Sequence, residues 1–328
     1  MATTRRALMA GAAALGVAFA GSAAVAEEFP TKEVTLLVNY GAGGGVDRTA
    51  RAVQPFLPDA LGQNVIVENI GGAGGKTGLK AFMQMPRDGY TVLTAFAPAT
   101  TYTKFTDPDV FEMSDLAVIA VMWTDPAILL ARKDTGWTSL EDFIAYAKAN
   151  PGDVTFGSSG KGSVGPILAR TLFSDLGLDV RLVPYSGGGE TRKAFASGEV
   201  MLTAAGAGGA TSIADEAVAL GLFAPEGSAP DWPDAPSIND QLAAMDAEVP
   251  EGGAYRFFAV HSDVKRDYPE RFDALVEAFR QTIVDNEDFK AAAAESGVGT
   301  DWQGADAAQA LIEDVDARFT DILNAEGS

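Results

Sequence analysis

No cysteine occurs anywhere in the 328 residues, which excludes a disulfide framework, a thiolate nucleophile, a thiolate metal site and a lipid-modified cysteine behind a leader. Histidine is almost as scarce. His261 is the only one, so no pair of imidazoles can hold a metal, and a lone histidine at a strand end reads as a surface residue before a catalyst. No Gly-x-Ser-x-Gly nucleophile elbow is found. Positive charge is the third shortage: 24 Lys and Arg face 45 Asp and Glu, for a net charge of −21. A surface so acidic argues against nucleic acid and against an anionic membrane as partners, since both require basic patches. It also repels an anionic ligand at long range, so any anion site has to supply its own local positive potential; a saline medium would screen part of the repulsion. The acidic residues are too many for any one pair to be singled out as glycosidase carboxylates. The sequence therefore offers no catalytic residue, no metal site and no cofactor.

The chain exceeds the usual size of a single core, so two domains are expected. Its 47% hydrophobic and 21% charged residues suit a folded globular protein. The first 26 residues form a different kind of segment. Arg5 and Arg6 precede an apolar run from Ala7 to Ala20, and small residues lead to Ala24-Val25-Ala26. That order predicts a secretory signal peptide cleaved after Ala26. The apolar run is short of the roughly 20 residues a membrane span needs. The arginine pair also permits twin-arginine export; either route places the protein in the periplasm.

From Glu27 onward, β-branched apolar runs alternate with helical spacing. Val34 to Val38, Asn64 to Val67, Thr91 to Phe96 and Leu116 to Trp123 read as strands, with helices at Asp47 to Leu61 and Thr77 to Met85. The middle repeats the scheme: strand Ile128 to Ala131, helix Leu140 to Asn150, strand Val154 to Gly157, helix Pro166 to Leu176, strand Arg181 to Pro184, helix Glu190 to Ser197 and strand Val200 to Ala204. Such alternation implies parallel sheets with helices on both faces. A Pro- and Asp-rich stretch, 229–236, suits neither a helix nor a central strand. Beyond it come a strand at Tyr255 to Val260 and helices at Pro269 to Asn286, Glu287 to Ser296 and Ala305 to Asn324. Phe272, Leu275, Val276, Phe279 and Ile283 share one face, expected to pack on the first domain. The expected division is a signal peptide (1–26), a first domain (27–125), a second (126–224) and a return to the first (225–328), with a hinge at the two crossings.

Three glycine-rich turns join a strand to a helix: Asn39-Tyr40-Gly41-Ala42-Gly43-Gly44-Gly45-Val46-Asp47, Phe156-Gly157-Ser158-Ser159-Gly160-Lys161-Gly162-Ser163 and Pro184-Tyr185-Ser186-Gly187-Gly188-Gly189. In an open α/β sheet such turns lie at the carboxyl ends of strands, where ligands bind. Glycine lets a ligand approach the backbone, and a helix N-terminus offers unpaired N–H donors at a positive dipole end. Each loop is thus a candidate carboxylate cradle that needs no cationic surface. The competing reading is that glycines only make tight turns, with Ser or Asp capping the helix behind them. Asp47 in particular is either a first-turn helix residue or a cleft acceptor for an amine or hydroxyl on the ligand. Two nucleotide motifs fail: Gly71 to Thr77 ends like a phosphate loop but carries Ile70 where its first glycine belongs, and a dinucleotide fingerprint from Gly43 meets Arg48 at its third glycine.

At these loops the sequence resembles the TctC/Bug family, the periplasmic receptors of tripartite tricarboxylate transporters. The family's first loop reads Pro-aromatic-x-x-Gly-Gly-x-x-Asp, matched by Tyr40, Gly43, Gly44 and Asp47, with Asn39 in place of the proline. Val67-Glu68-Asn69 with Gly72 to Gly75, Asp88 to Thr91, Pro184-Tyr185 with Gly187-Gly188, and Pro233 to Ser237 continue the match in order. The resemblance implies a type II, Venus-flytrap binding protein with two open α/β domains, in which backbone groups and ordered waters grip one ligand carboxylate. Carried over, it points to Tyr40, Gly43, Gly44 and Asp47, to Ser158, Ser159 and Ser163, and to Tyr185 and Gly187. The sequence departs from the family at Met201, where an Asp is usual, at Lys76 and Lys161, and in the tract Ala204 to Gly209. Lys161 is a candidate partner for a second anionic group on the ligand, its alternative being a solvated lysine. The resulting expectation is a monomeric binding protein that delivers a small organic carboxylate to transporter membrane subunits. A sensory binding protein and an exported α/β hydrolase are the rivals.

Overall fold

The computed structural model describes residues 29–159 and 162–326. The expected signal peptide and Lys161 lie outside the described residues. Strand β1 (Val34–Val38) is followed by α1 (Gly45–Val53), α2 (Leu57–Leu61), β2 (Val65–Asn69), α3 (Lys76–Met83), β3 (Thr91–Ala97) and α4 (Ala99–Thr106). The single helix expected over 47–61 is broken in two, because Pro58 stands in the first turn of α2, where it lacks an N–H and blocks a continuous helix. The threonine-rich α4 escapes sequence reading because threonine is a poor helix former.

Strand β4 (Leu116–Arg132) runs 17 residues and merges the two strands expected at 116–123 and 128–131. Pro126 lies inside it, at the point where the strand changes neighbours. Residues 116–126 pair with β9 (Gly253–His261), and residues 127–132 pair with β7 (Leu202–Gly206) and β8 (Ala217–Leu222). A residue without an N–H is tolerated where one ladder ends and another begins. Between these strands come α5 (Leu140–Ala149), β5 (Thr155–Ser158), α6 (Val164–Asp175), β6 (Arg181–Pro184) and α7 (Gly188–Ser197), and α8 (Ala207–Ala210) follows β7. The chain ends with α9 (Ile238–Leu242), α10 (Ser262–Asp267), α11 (Pro269–Arg280), α12 (Glu287–Glu295), β10 (Gln303–Gly304) and α13 (Ala305–Glu326).

The strand order is β2-β1-β3-β9-β4-β7-β5-β6 in one curled sheet. Parallel pairing, expected throughout, holds for β2-β1-β3 and for β7-β5-β6. The long strands β4 and β9 run antiparallel to their neighbours and join the two parallel sets. Hydrophobic periodicity carries no strand direction, so this difference was not readable. Each parallel set with its helices makes one lobe of a two-lobed α/β fold.

Phe272, Leu275, Phe279 and Ile283 bury against Val34, Leu36 and Phe258, as their shared face predicts. The Phe258 and Phe279 ring centroids are 4.4 Å apart. Residues 225–249, assigned by sequence to the return segment, pack elsewhere: Ala229, Ala235 and Trp232 join Ile128, Leu130 and Phe195 in one cluster, and Gln241 donates to the Leu220 carbonyl at 2.9 Å. The chain reaches β9 through Gly252, whose carbonyl accepts from Ala127 at 3.0 Å. Helix α13 buries Ala308, Ile312, Val315, Phe319 and Leu323. It starts beside β4, where Gln309 accepts from the Val118 N–H at 2.9 Å, and ends in a groove shared by Ile322 with Arg170 and Ser174 of α6.

Candidate functional site

The three glycine loops each leave the carboxyl end of a strand, β1, β5 or β6, and enter a helix, α1, α6 or α7. The first is tied down from within. Gly43, at φ 84°, donates its N–H to the Asp47 carboxylate at 2.8 Å, and Arg51 Nε and Asn69 Nδ2 donate to the same group at 3.0 and 2.9 Å. Burial alone would raise the Asp47 pKa; these donors outweigh it and hold the group below the ordinary carboxylate range. Asp47 is 2% exposed and its oxygens serve the loop. Tyr40 donates to the Gly74 carbonyl at 2.6 Å, and burial pushes its phenol pKa up. The glycine run 71–75 is a support beneath this loop: a Cβ at Gly75 would stand 2.7 Å from Asn39 Nδ2 and 2.8 Å from the Tyr40 hydroxyl.

The other two loops are joined to each other. The Tyr185 N–H donates to the Ser158 carbonyl at 2.9 Å, and Ser163 Oγ donates to the Ser159 carbonyl at 3.1 Å. Ser158 is buried at the end of β5. Gly187 precedes α7 without a side-chain cap. Burial, then Glu199, pushes the Tyr185 pKa up to about 12. Gly162 touches the other lobe, since a Cβ there would stand 2.8 Å from the Tyr102 ring of α4.

A cavity of about 370 Å³ opens at the first loop, lined by Tyr40, Gly44, Gly45, Phe96, Ala254 and Arg256 among others. Arg256 is its chemical centre. The side chain comes from the middle of β9, opposite Phe96 on β3 and Trp123 on β4, and the residue is only 8% exposed. Its guanidinium stacks 3.7 Å from the Trp123 ring, and Nη2 donates to Asp125 at 3.0 Å. Its Nε and Nη1 find no acceptor among the described residues. The fork points at the start of α1: a Cβ on Gly45 would lie 2.7 Å from Nη2 and 2.9 Å from Nε. Burial, with help from Arg48, lowers the Arg256 pKa against the opposing pull of Asp125. Asp125 is 2% exposed and also accepts the Gly208 N–H at 2.9 Å, linking β9 to α8. An arginine with free N–H donors in a dry pocket is a receptor for a planar anion such as a carboxylate.

Of the sequence-predicted residues, Tyr40 and Gly44 line this cavity, while Gly43 and Asp47 brace its loop. Ser158, Ser159, Ser163, Tyr185 and Gly187 lie together at the carboxyl ends of β5 and β6, and none of them lines it. Lys76 pairs with Asp107 at 3.4 Å, beside Lys80. His261, expected at the surface, is buried: it stacks on Phe82 with ring centroids 4.3 Å apart, and its Nε2 lies 3.0 Å from the Phe82 carbonyl oxygen. Sequence reading missed Arg256 and Asp125. The signal was there, as each interrupts an otherwise apolar strand, and a charge in such a run is seldom buried without a task.

Residues 49–326 match the family model described as tripartite tricarboxylate transporter family receptor. A UPF0065 protein of Bordetella pertussis is 35% identical over 192 residues, 57% of this chain and 58% of that one. The chain spans about half to three fifths of the length of the curated relatives it matches. Among solved structures, the periplasmic binding protein BugD aligns with a TM-score of 0.75 at 21% identity, over 91% of this chain and 99% of that one. MatC of Rhodopseudomonas palustris, solved with bound malate, aligns with a TM-score of 0.72 at 23% identity, over 90% of this chain and 99% of that one. At these identities the likeness is one of fold.

Proposed function

The chain belongs to the tripartite tricarboxylate transporter receptor family, and from that premise we propose that it captures a small organic di- or tricarboxylate outside the cytoplasm and delivers it to transporter membrane subunits. The observation that carries the reading is Arg256, a buried guanidinium with two unpaired donors set against the glycine loop at Gly45. In a chain of net charge −21, a local cation of this kind gives an anion somewhere to bind. Malate in the MatC structure is a ligand of the same class.

The capture step is closure of the two lobes about crossings at Asp125 to Ala127 in β4 and at Gly252-Gly253. One ligand carboxylate sits between the first loop, with Tyr40, Gly43, Gly44 and Asp47 shaping it, and the loops carrying Ser158, Ser159, Lys161, Ser163, Tyr185 and Gly187. The ligand favours the closed form only by the extra contacts it makes there. Arg5, Arg6 and the apolar run to Ala20 export the chain to the periplasm, with cleavage after Ala26, and the mature protein acts as a monomer without catalysis.

A thermal-shift screen of organic acids tests the first step, because a binder raises the melting temperature by mass action. Calorimetry and solution scattering on the best binder test the rest. A hit with a decrease in radius of gyration is the expected result. No stabilisation by any di- or tricarboxylate would remove the reading.

A further inference from the structure

Two more arginines approach Arg256. Arg48 lies in α1, with its guanidinium carbon 5.3 Å from the same Trp123 ring on which Arg256 rests. Arg192 lies in α7 of the other lobe. Its Nη1 is 3.1 Å from where a Cβ on Gly188 would stand and 3.9 Å from where one on Gly209 would stand. The neighbouring Gly208 closes the circle: a Cβ there would lie 3.2 Å from Cζ2 of Trp123. Residues 208 and 209 thus touch Trp123 with one glycine and Arg192 with the next, which gathers three guanidiniums from two lobes into one cluster.

Little in the protein compensates them. Arg256 has Asp125, while among the described residues the hydrogen bond of Arg48 goes to the Ser296 carbonyl at 3.4 Å. Among the described residues no ion pair joins Arg48 or Arg192 to a carboxylate. Asp231 and Asp301 line an adjoining cavity of about 470 Å³, together with Lys290, Trp123 and Asp125. The guanidinium of Arg192 lies back over the first turn of α7, the positive end of the helix dipole, where a cation is disfavoured. Burial, followed by Arg48, lowers the pKa of Arg192, and Arg48 acts in the same sense on Arg256. Each arginine is therefore in an environment that an anion would relieve.

Resting on the carboxylate-binding reading above, we propose that Arg192 and Arg48 form a second anion subsite, apart from Arg256 at the first loop, and that this subsite makes closure depend on the charge of the ligand. Like charges on facing lobes oppose closure until anions stand between them. A monoanion bridges the lobes at the first loop but leaves the Arg48 and Arg192 pair repelling, so it favours closure weakly; a dianion also neutralises that pair and favours closure strongly. Ligand charge then decides which organic acids trigger closure.

The test is calorimetry and scattering on the purified protein with malate and its two monoamides, extended to a tricarboxylate and a longer dicarboxylate. For the best dianion, wild type is expected to prefer the diacid over its monoamide by about 100-fold, within the range for truncating one partner of a desolvated charge pair. In Arg192→Gln the preference falls to under about tenfold, because the diacid weakens while the monoamide binds within about twofold of wild type. Arg181→Gln, on the exposed strand β6, leaves the preference unchanged. Melting temperatures of the ligand-free variants check that each folds. An unchanged preference in both Arg192→Gln and Arg48→Gln, with binding and closure retained, overturns the inference and leaves the carboxylate reading standing. Equal binding of diacid and monoamide by wild type overturns it as well. Failure of every acid to bind wild type removes the reading on which the inference rests.

Discussion

In the loop after β1, side chains hold the turn: Asp47 accepts from Gly43, Arg51 and Asn69, Tyr40 donates to the Gly74 carbonyl, and Asn39 Nδ2 reaches the Gly75 carbonyl at 3.3 Å. Among the described residues of the loops after β5 and β6, Ser186 donates its N–H and hydroxyl to Glu190 at 3.2 and 2.5 Å and the Tyr185 N–H donates to the Ser158 carbonyl, but α7 starts on an uncapped glycine, and a Cβ at Gly187 would meet nothing within 4 Å. The composition is alike and the construction is not. The first loop is a rigid seat with a buried cation beside it, and the start of α7 at Gly187 is left open. Pre-organising one side lowers the ordering cost of binding; leaving the other side open lets closure respond to the ligand. A site made of two rigid halves would gain little from closing.

Removing the cation should break this comparison most severely. Arg256→Gln keeps a hydrogen bond to Asp125 within reach but loses the charge and the fork, and affinity for the best organic acid should fall at least about 100-fold by calorimetry. Arg256→Lys should recover less than a tenth of that loss, since an ammonium cannot donate in the guanidinium plane. Full recovery by lysine would show that charge alone matters.

Next in size is the latch. Asp47→Asn should cost about 2 kcal/mol at neutral pH, the scale of charge-assisted hydrogen bonds to a buried group. Because the folded pKa of Asp47 is depressed, its contribution is complete above the unfolded value near about 4 and is lost as pH falls through the lower folded value. Urea midpoints of wild type and variant should therefore converge as the pH falls below about 4. A gap that stays constant over that range would mean the latch is not ionic. Smaller still is the contrast between glycines. Gly45→Ala forces a methyl against the Arg256 fork and should weaken binding about tenfold, whereas Gly187→Ala, with φ 179° and open space, should change melting by less than about 0.5 kcal/mol equivalent. Equal effects at the two positions would erase the distinction between seat and jaw.

The parts legible in the sequence are those written in periodicity and turn chemistry. β1 and β6 fall within the predicted limits, and the glycine loops sit at strand ends as expected, because β-branched runs and glycine act locally. Strand direction at β4 and β9, the passage of β4 through Pro126, and the crossing of α13 to α6 are products of tertiary pairing and leave no local mark. The candidate site divides the same way. Tyr40 and Gly44 were found through the loop that carries them, but Arg256 lies more than 200 residues away in sequence and reaches the loop only because β9 inserts between β3 and β4. Its warning sign was a charge in an apolar strand, which glycine-centred reading passed over.

The smallest predicted effect tests whether the cluster is specific to certain cations or whether any basic residue in a glycine loop would serve. Lys76 follows the run 71–75 and stands out in the sequence as a departure from the family pattern. Its ammonium instead meets Asp107 at 3.4 Å, sharing that carboxylate with Lys80 at 2.8 Å. Both lysines pull the Asp107 pKa down, Lys80 first. Exposed pairs of this kind contribute little to stability, and the second lysine remains to hold Asp107 when the first is removed. Lys76→Ala should therefore leave organic-acid affinity within about twofold and the melting temperature near that of wild type. A tenfold loss of affinity would instead place Lys76 in the binding potential and extend the cationic seat beyond the arginines beside the first loop.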